Sequence, residues 1–108
     1  MKLWIDDCRP APEGYFWITN VNEAKKRIKH WETLYHYNPI YNSFLLIELI
    51  DIDHDAGCYV DEGGDYIKLL DWLEETGRNY PIRIHSMNPV GIENMRRIIQ
   101  KNGWREVR

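Results

Sequence analysis

The fold of this chain is decided by the stretch Phe44–Ile52, which reads FLLIELIDI and is followed by Asp53–Gly57, which reads DHDAG. The first segment is a nearly continuous apolar run, which is typical of a central parallel strand covered on both faces. The second segment is polar and contains glycine, so it ends the strand and begins a loop. Together they predict an α/β fold with titratable groups at the carboxyl end of a buried strand.

Two further strands and a helix are predicted on the N-terminal side of this run. Lys2–Ile5 is a short apolar strand, and Tyr15–Thr19 has the aromatic and β-branched residues that strands favour. Asn20 is a predicted N-cap, with Glu23 three residues later as in a capping box. Apolar residues then recur at helical spacing, and we expect this helix to end near Asn38.

The same alternation continues on the C-terminal side of the run. It predicts a helix from Tyr66 to Gly77, a strand over Pro81–His85, a helix from Pro89 to Gly103 and a last strand over Trp104–Val107. Strands that alternate with helices form mostly parallel sheets. We therefore predict a single domain over residues 1–108, with a mostly parallel five-stranded sheet, about three helices and three layers.

Composition and charge narrow the class of protein. Apolar residues make up 44% of the 108 residues and the net charge is −3, as in a packed domain that binds duplex DNA poorly. Residues 78–108 are nevertheless net basic, which is consistent either with attraction of a small phosphate or an RNA end or with an ordinary solvated surface. We find no membrane span or signal peptide, and Cys8 and Cys58 match no metal or redox motif, so we expect a cytoplasmic protein.

Three of the predicted strands end in polar, titratable residues. Asp6 and Asp7 follow the first strand, Asp53–Asp55 follows the central strand, and His85 and Ser86 follow the next one. The carboxyl ends of parallel strands share one edge, where α/β proteins bind their ligands. Clustered carboxylates favour a divalent cation such as Mg²⁺, and two histidines can supply an acid and a base near neutral pH.

The start of the third predicted helix adds an anion site to this edge. Asn88 is the expected N-cap and Pro89 the first helical residue, so free N–H groups point toward the strand ends. These features together indicate a phosphate-bearing ligand. Taken singly, each residue also has a structural interpretation, with Asp6 and Asp7 as turn caps and His85 as a structural histidine.

Three segments carry a resemblance to a known family. They are Leu3–Pro12 (LWIDDCRPAP), Asp53–Gly57 (DHDAG) and His85–Met95 (HSMNPVGIENM). In these segments the chain resembles the cyclic-phosphate processing receiver domain family, and the resemblance covers nearly its whole length. It implies a receiver-like, flavodoxin-like fold and an enzymatic role on a cyclic phosphate of a nucleotide or an RNA end.

The chain also departs from an ordinary response-regulator receiver. Asp53 falls at the phosphoacceptor position and Ser86 at the switch position, but no lysine ends the last strand. The helix after the first strand and the final helix of a receiver are both missing from the predicted elements. His54 and His85 are additions that phosphotransfer signalling does not need, so these departures favour acid–base chemistry.

The leading hypothesis is a phosphoesterase that processes a cyclic phosphate. The predicted catalytic residues are His54, His85 and Asp53. The predicted ligand-binding residues are Arg9, Asp55, Ser86 and Asn88. The predicted ligands of a divalent cation, with Mg²⁺ as the expected cofactor, are Asp6, Asp7 and Asp53.

Three alternatives belong to other classes. The first is a divergent receiver that is phosphorylated at Asp53 and switches a partner. The second is a non-catalytic domain that binds a nucleotide at the same polar edge. The third is a transition-metal site formed by His54, His85 and a carboxylate.

Overall fold

The computed structural model describes residues 1–108 as an α/β domain with three helices and a parallel sheet of four strands. The elements in chain order are β1 (Lys2–Ile5), β2 (Tyr15–Ile18), α1 (Val21–Tyr37), β3 (Leu49–Ile52), α2 (Ile67–Glu75), β4 (Ile82–Ile84) and α3 (Pro89–Asn102). Short 3₁₀ turns lie at Ser43–Leu45 and Gly57–Tyr59. The predicted α/β class, the parallel sheet and the three helices are confirmed.

The strand order in the sheet is β2-β1-β3-β4, and every neighbouring pair is parallel. Trp4 on β1 lies opposite Trp17 on one side and Asp51 on the other, and Asp51 lies opposite Arg83 on β4. All four strands therefore end at the same edge of the sheet. The residues that follow β1, β3 and β4 meet at that edge.

The three helices cover one face of the sheet. Each crossover from β2 to β3 and from β3 to β4 runs in the same direction, and right-handed crossovers of this kind place their helices on one side. The core of that side joins alternate strand residues such as Leu3, Ile50 and Ile82 to the buried residues of all three helices. Burial of this apolar surface is the main stabilising contribution to the fold.

The opposite face of the sheet presents Trp4, Asp51 and Arg83 and is covered by a loop. The connection from β1 to β2 runs in the reverse direction, so it crosses this second face, and it contains no helix. Trp4 Nε1 donates a hydrogen bond of 2.8 Å to the carbonyl oxygen of Arg9 in this loop. The third layer that we expected to be helical is therefore a loop, in agreement with the missing first receiver helix.

The central strand is shorter than the apolar run predicts. Only Leu49–Ile52 pairs in the sheet, whereas Ser43–Leu45 forms a 3₁₀ turn and Phe44 is 69% exposed. The Asn42 side chain donates to Leu34 O at the end of α1, which holds the preceding chain in a turn. Apolar residues at these positions therefore do not indicate a buried strand.

The fifth predicted strand, Trp104–Val107, is reduced to one bridge. Ile82 pairs with Glu106 through bonds from Ile82 N to Arg105 O and from Val107 N to Ile82 O. β4 has only three residues, so it offers little edge for a longer pairing. The sheet has four strands rather than five.

The predicted helix signals are confirmed at both ends of α3. Asn88 Oδ1 accepts a hydrogen bond of 3.0 Å from Gly91 N, Pro89 occupies the first turn, and Gly103 ends the helix with φ 67°. Asn20 caps α1 in the same way through Glu23 N. The Asn88 cap fixes the start of α3 at the edge where the strands end. None of the helices is both long and apolar enough to cross a membrane.

Candidate functional site

The edge of the sheet brings together the polar residues that follow three strands. Asp53 N donates to Ile5 O and His85 N donates to Ile52 O, each at 2.9 Å, so the strand ladders continue into the polar segments. Asp6, Asp53 and His85 therefore stand side by side. The predicted residues then separate into a closed group around His85 and an open group around His54.

The His85 ring is held on all sides. Its Nδ1 lies 2.6 Å from Asp51 Oδ1 and its Nε2 lies 2.9 Å from Asp6 Oδ2. The ring stacks on Trp4 with 3.7 Å between centroids and an angle of 4° between planes. Only 8% of the side chain is exposed, so neither ring nitrogen is free to meet a ligand.

Asp6 is fully buried and accepts four hydrogen bonds. Oδ1 accepts from Cys8 N and Arg9 N, while Oδ2 accepts from Arg9 Nε and His85 Nε2. Burial acts to raise the pKa of Asp6, but the two backbone N–H groups, His85 and the Arg9 charge together hold it below its ordinary value. Asp6 is therefore a carboxylate that is saturated by protein donors.

Arg9 links the closed group to solvent. Its Nε donates to Asp6 at 3.1 Å, and its Nη2 donates to His85 O at 2.7 Å and lies 3.3 Å from Asp53 Oδ2. Partial burial acts to lower the pKa of Arg9, but Asp6 and Asp53 raise it above its ordinary value. The side chain is 45% exposed, so a fixed cation faces the open side of the edge.

His54 is the histidine of the open group. Its Nδ1 lies 2.8 Å from Asp55 Oδ1, and its Nε2 has no partner within the protein. Since no buried polar side-chain atom lacks a partner, Nε2 must be in contact with solvent. The ring packs on Gly91, where a Cβ would come within 2.5 Å of the ring, so only glycine fits this position in the first turn of α3.

An open cleft of about 410 Å³ lies beside these residues and is lined by Cys8, Arg9, Asp53, Asp55, Met87 and Asn88. Four of them are predicted site residues. Ser86 supports the rim, since its Oγ accepts a hydrogen bond from Asn88 N. The Asn88 amide lies 3.5 Å from Asp55 Oδ1, and its own oxygen caps α3. The cleft joins one fixed cation to the start of a helix, which suits an anion.

The predicted Mg²⁺ ligands do not fit that ion in this arrangement. Asp6 is saturated by its four donors, and Asp53 accepts from His54 N through Oδ1 and faces Arg9 through Oδ2. A divalent cation at these carboxylates would displace the Arg9 guanidinium, which already neutralises them. Asp7 remains beside Gly57, but one carboxylate does not form a magnesium site.

The net basic C-terminal part does not form a free basic face. Six of its seven Lys and Arg residues form ion pairs, among them Arg96–Glu106, Arg97–Glu93 and Lys101–Glu74. None of them lines the cleft. Arg9, from the acidic N-terminal part, is the cation at the candidate site.

Sequence reasoning missed Asp51 and Trp4. Asp51 is fully buried, and its two oxygens bind His85 Nδ1 and Arg83 Nη1. One signal was available, because a carboxylate between two isoleucines of a buried strand requires a cationic partner. Trp4 carried no comparable signal, since its contact with His85 depends on the approach of β1 and β4 across β3.

The fold and this edge define the class as a receiver-like α/β domain that lacks a covering helix on one face of its sheet. The family model described as "Cyclic-phosphate processing Receiver domain" matches residues 1–101, and the chain belongs to that family. No curated protein and no solved structure matches the chain.

Proposed function

We propose that this domain is a phosphoesterase that opens a cyclic phosphate of a nucleotide or of an RNA end. The observation that carries the proposal is the presence of two fixed groups at one edge of the sheet. The Arg9 guanidinium lines the cleft, and the His54 imidazole, which is not part of the lining, is oriented by the cleft-lining residue Asp55. The family description supports the same substrate class.

His54 is the acid–base group of the proposed reaction. With Nδ1–H donating to Asp55, the neutral imidazole carries its lone pair on the solvent-facing Nε2. Nε2 takes a proton from water as the water oxygen bonds to phosphorus, and one ester P–O bond breaks. The same proton then passes from Nε2 to the leaving alkoxide oxygen, which completes the hydrolysis to a phosphate monoester.

Arg9 and the start of α3 bind the phosphate in this proposal. Arg9 is held by Asp6, Asp53 and His85 O through Nε and Nη2, which leaves Nη1 for the non-bridging phosphate oxygens. The N-terminus of the 14-residue helix α3 adds its dipole to the same anion site. Asp53 acts here as a partner of Arg9 and of the His54 backbone.

Two of the predicted roles are less well supported by these contacts. His85 has both ring nitrogens paired with carboxylates, so the proposal assigns proton transfer to His54 and a holding role to His85. Asp53 has both oxygens engaged, which also weakens the alternative in which it accepts a phosphoryl group. No contact favours the signalling alternative over the esterase.

The test is turnover of a panel of 2′,3′-cyclic and 3′,5′-cyclic nucleotides and of RNA with a terminal cyclic phosphate. Products are followed by ³¹P NMR for the wild-type domain, for His54→Ala and for His30→Ala, which removes an exposed histidine on α1 as a matched control. We expect turnover by the wild type and by His30→Ala, and its loss in His54→Ala. Absence of turnover by the wild type on every substrate would refute the proposal.

A further inference from the structure

Six titratable residues form a continuous chain of contacts from one face of the sheet to the cleft. In order they are Arg83, Asp51, His85, Asp6, Arg9 and Asp53, and we call them the charge chain. Successive members are joined at 3.0, 2.6, 2.9, 3.1 and 3.3 Å. The proposed function gives roles to the four members nearest the cleft, so Asp51 and Arg83 are without an assigned role.

Both nitrogens of the His85 ring face carboxylates. Asp51 also accepts from Arg83 Nη1, and Asp6 also accepts from two backbone N–H groups and from Arg9. The ring lies between these carboxylates, with 2.6 Å at Nδ1 and 2.9 Å at Nε2, and one of its faces stacks on Trp4. Contacts at both nitrogens and on one face therefore fix the orientation of the ring.

Asp51 has no direct contact with the cleft, so it acts on the cleft only through the His85 ring that it binds. It binds Nδ1 of His85, while Nε2 of the same ring binds the Asp6 oxygen that also receives Arg9 Nε. The backbone oxygen of His85 accepts the second bond from Arg9. His85 therefore fixes Arg9 twice, and its own orientation depends on Asp51.

We propose that Asp51 is a positioning residue, which acts through the His85 ring to fix the Arg9 guanidinium as the anion-binding group of the cleft. This inference rests on the proposed function for its effect on turnover. The structural part stands separately, because the orientation of Arg9 can be measured without a substrate. Through this arrangement a built-in cation occupies the place where we had expected Mg²⁺.

The first measurement uses the wild-type domain and needs no variant. Nitrogen-15 NMR at neutral pH reports hydrogen exchange at Arg9 Nε–H, which is bonded to buried Asp6, and we expect this exchange to be slow. An Arg9 Nε–H that exchanges as fast as in a free peptide would overturn the inference.

The second measurement compares Asp51→Asn with Asp71→Asn, which makes the same substitution on α2, where the Asp71 side chain is 42% exposed and pairs with Lys68. In Asp51→Asn we expect the slow Arg9 exchange to be lost, and in Asp71→Asn we expect it to persist. KM for the cyclic phosphate should rise about tenfold with kcat changed less than about threefold, because Arg9 binds oxygens that are charged before and during reaction.

The two readouts separate failure of the inference from failure of the proposed function. If the wild type shows no turnover but its Arg9 Nε–H exchanges slowly and this depends on Asp51, the positioning role holds and the esterase is refuted. If turnover is observed but Asp51→Asn leaves KM and the Arg9 exchange unchanged, the inference is refuted and the esterase stands. Should Asp51→Asn fail to fold, the wild-type NMR result alone decides.

Discussion

The two histidines at the edge of the sheet differ in how much of each ring the protein has already used. His54 has one nitrogen paired with Asp55 and the other in contact with solvent. His85 has both nitrogens paired with buried carboxylates and a face covered by Trp4. Both follow an apolar strand, and each has its Nδ1 within 2.8 Å of an aspartate oxygen. The comparison teaches that a free nitrogen, rather than proximity to carboxylates, marks the residue that can exchange a proton with a ligand.

The closed group around His85 and the open group around His54, called the closed and open regions below, also differ in what they contribute to stability. Asp6 and Asp51 are fully buried, so the closed region depends on every partner, since a buried charge left unpaired strongly destabilises a fold. His54 pairs only with Asp55, whose side chain is 60% exposed, and such pairs contribute little. We therefore expect substitutions in the open region to change activity and those in the closed region to change stability.

The largest expected effect is that of His54→Ala on turnover. Because His54 is the proposed proton-transfer group, we expect kcat for a cyclic phosphate to fall by about 10²–10⁴-fold. The free energy of unfolding should fall by only about 1–2 kcal/mol, because the side chain is 15% exposed but its ion-pair partner Asp55 is 60% exposed and is left in contact with water. Stopped-assay kinetics measure kcat, and urea unfolding measures the free energy of unfolding. If the variant lost activity only because it was unfolded, the distinction between the two regions would be removed.

The converse variant, His85→Ala, should act on the fold. It leaves Asp6 and Asp51 buried without the ring that binds both of them, so we expect a loss of about 3–5 kcal/mol in the free energy of unfolding. Urea unfolding of this variant beside His30→Ala, whose exposed side chain should matter little, measures the difference. Unchanged stability with lost turnover would instead return His85 to the catalytic role predicted from the sequence.

Gly91→Ala sharpens the comparison within the open region. A Cβ at Gly91 would lie 2.5 Å from Cγ of His54, so the ring must move or α3 must shift. We expect a loss of about 1–3 kcal/mol in the free energy of unfolding, together with a fall in kcat as His54 leaves its position. Gly103→Ala is a useful contrast, because it meets no neighbouring atom and strains only a left-handed backbone position. Full activity in Gly91→Ala would mean that the His54 orientation is unimportant.

Acid should weaken the closed region selectively. Burial acts to raise the pKa of Asp6, but its hydrogen bonds and Arg9 hold it below the ordinary value of 3.8. The ionised carboxylate therefore stabilises the fold above about pH 4, and this contribution is lost as the pH falls through the lowered pKa. Urea unfolding at several pH values should show a smaller acid dependence for Asp6→Asn than for the wild type. Parallel curves would show that Asp6 is not the responsible group.

The smallest expected effect is that of metal removal. Since Arg9 neutralises Asp6 and Asp53, EDTA and added Mg²⁺ should each change turnover by less than about twofold. The measurement is steady-state turnover after dialysis against EDTA, with and without restored Mg²⁺. A strict Mg²⁺ requirement would mean that the ion displaces Arg9 when substrate binds.

Much of this fold could be predicted because the decisive signals are local. The asparagine caps at Asn20 and Asn88 act within three residues, and the meeting of the strand ends follows from parallel pairing alone. The length of β3 could not be predicted in this way. An apolar run does not specify where sheet pairing begins, and Phe44 is exposed although it lies in that run.

The candidate site was predictable as a set of residues but not in its division of roles. Asp6, Asp53 and His85 follow strands and were expected at one edge, where the structure places them. The orientation of the His85 ring depends on a hydrogen bond with Asp51 and on stacking against Trp4. These residues lie 34 and 81 residues away in the sequence and reach the ring only across the sheet. Long-range side-chain contacts of this kind are set by packing, which residue spacing does not encode.

The charge chain limits how this protein can change over evolutionary time. A single substitution at Asp51, His85 or Asp6 leaves an unpaired charge inside the domain, so each step on its own is disfavoured. Divergence at these positions should therefore occur as paired replacements, such as a neutral pair in place of Asp51 and His85. In homologous sequences the identities at these positions should covary.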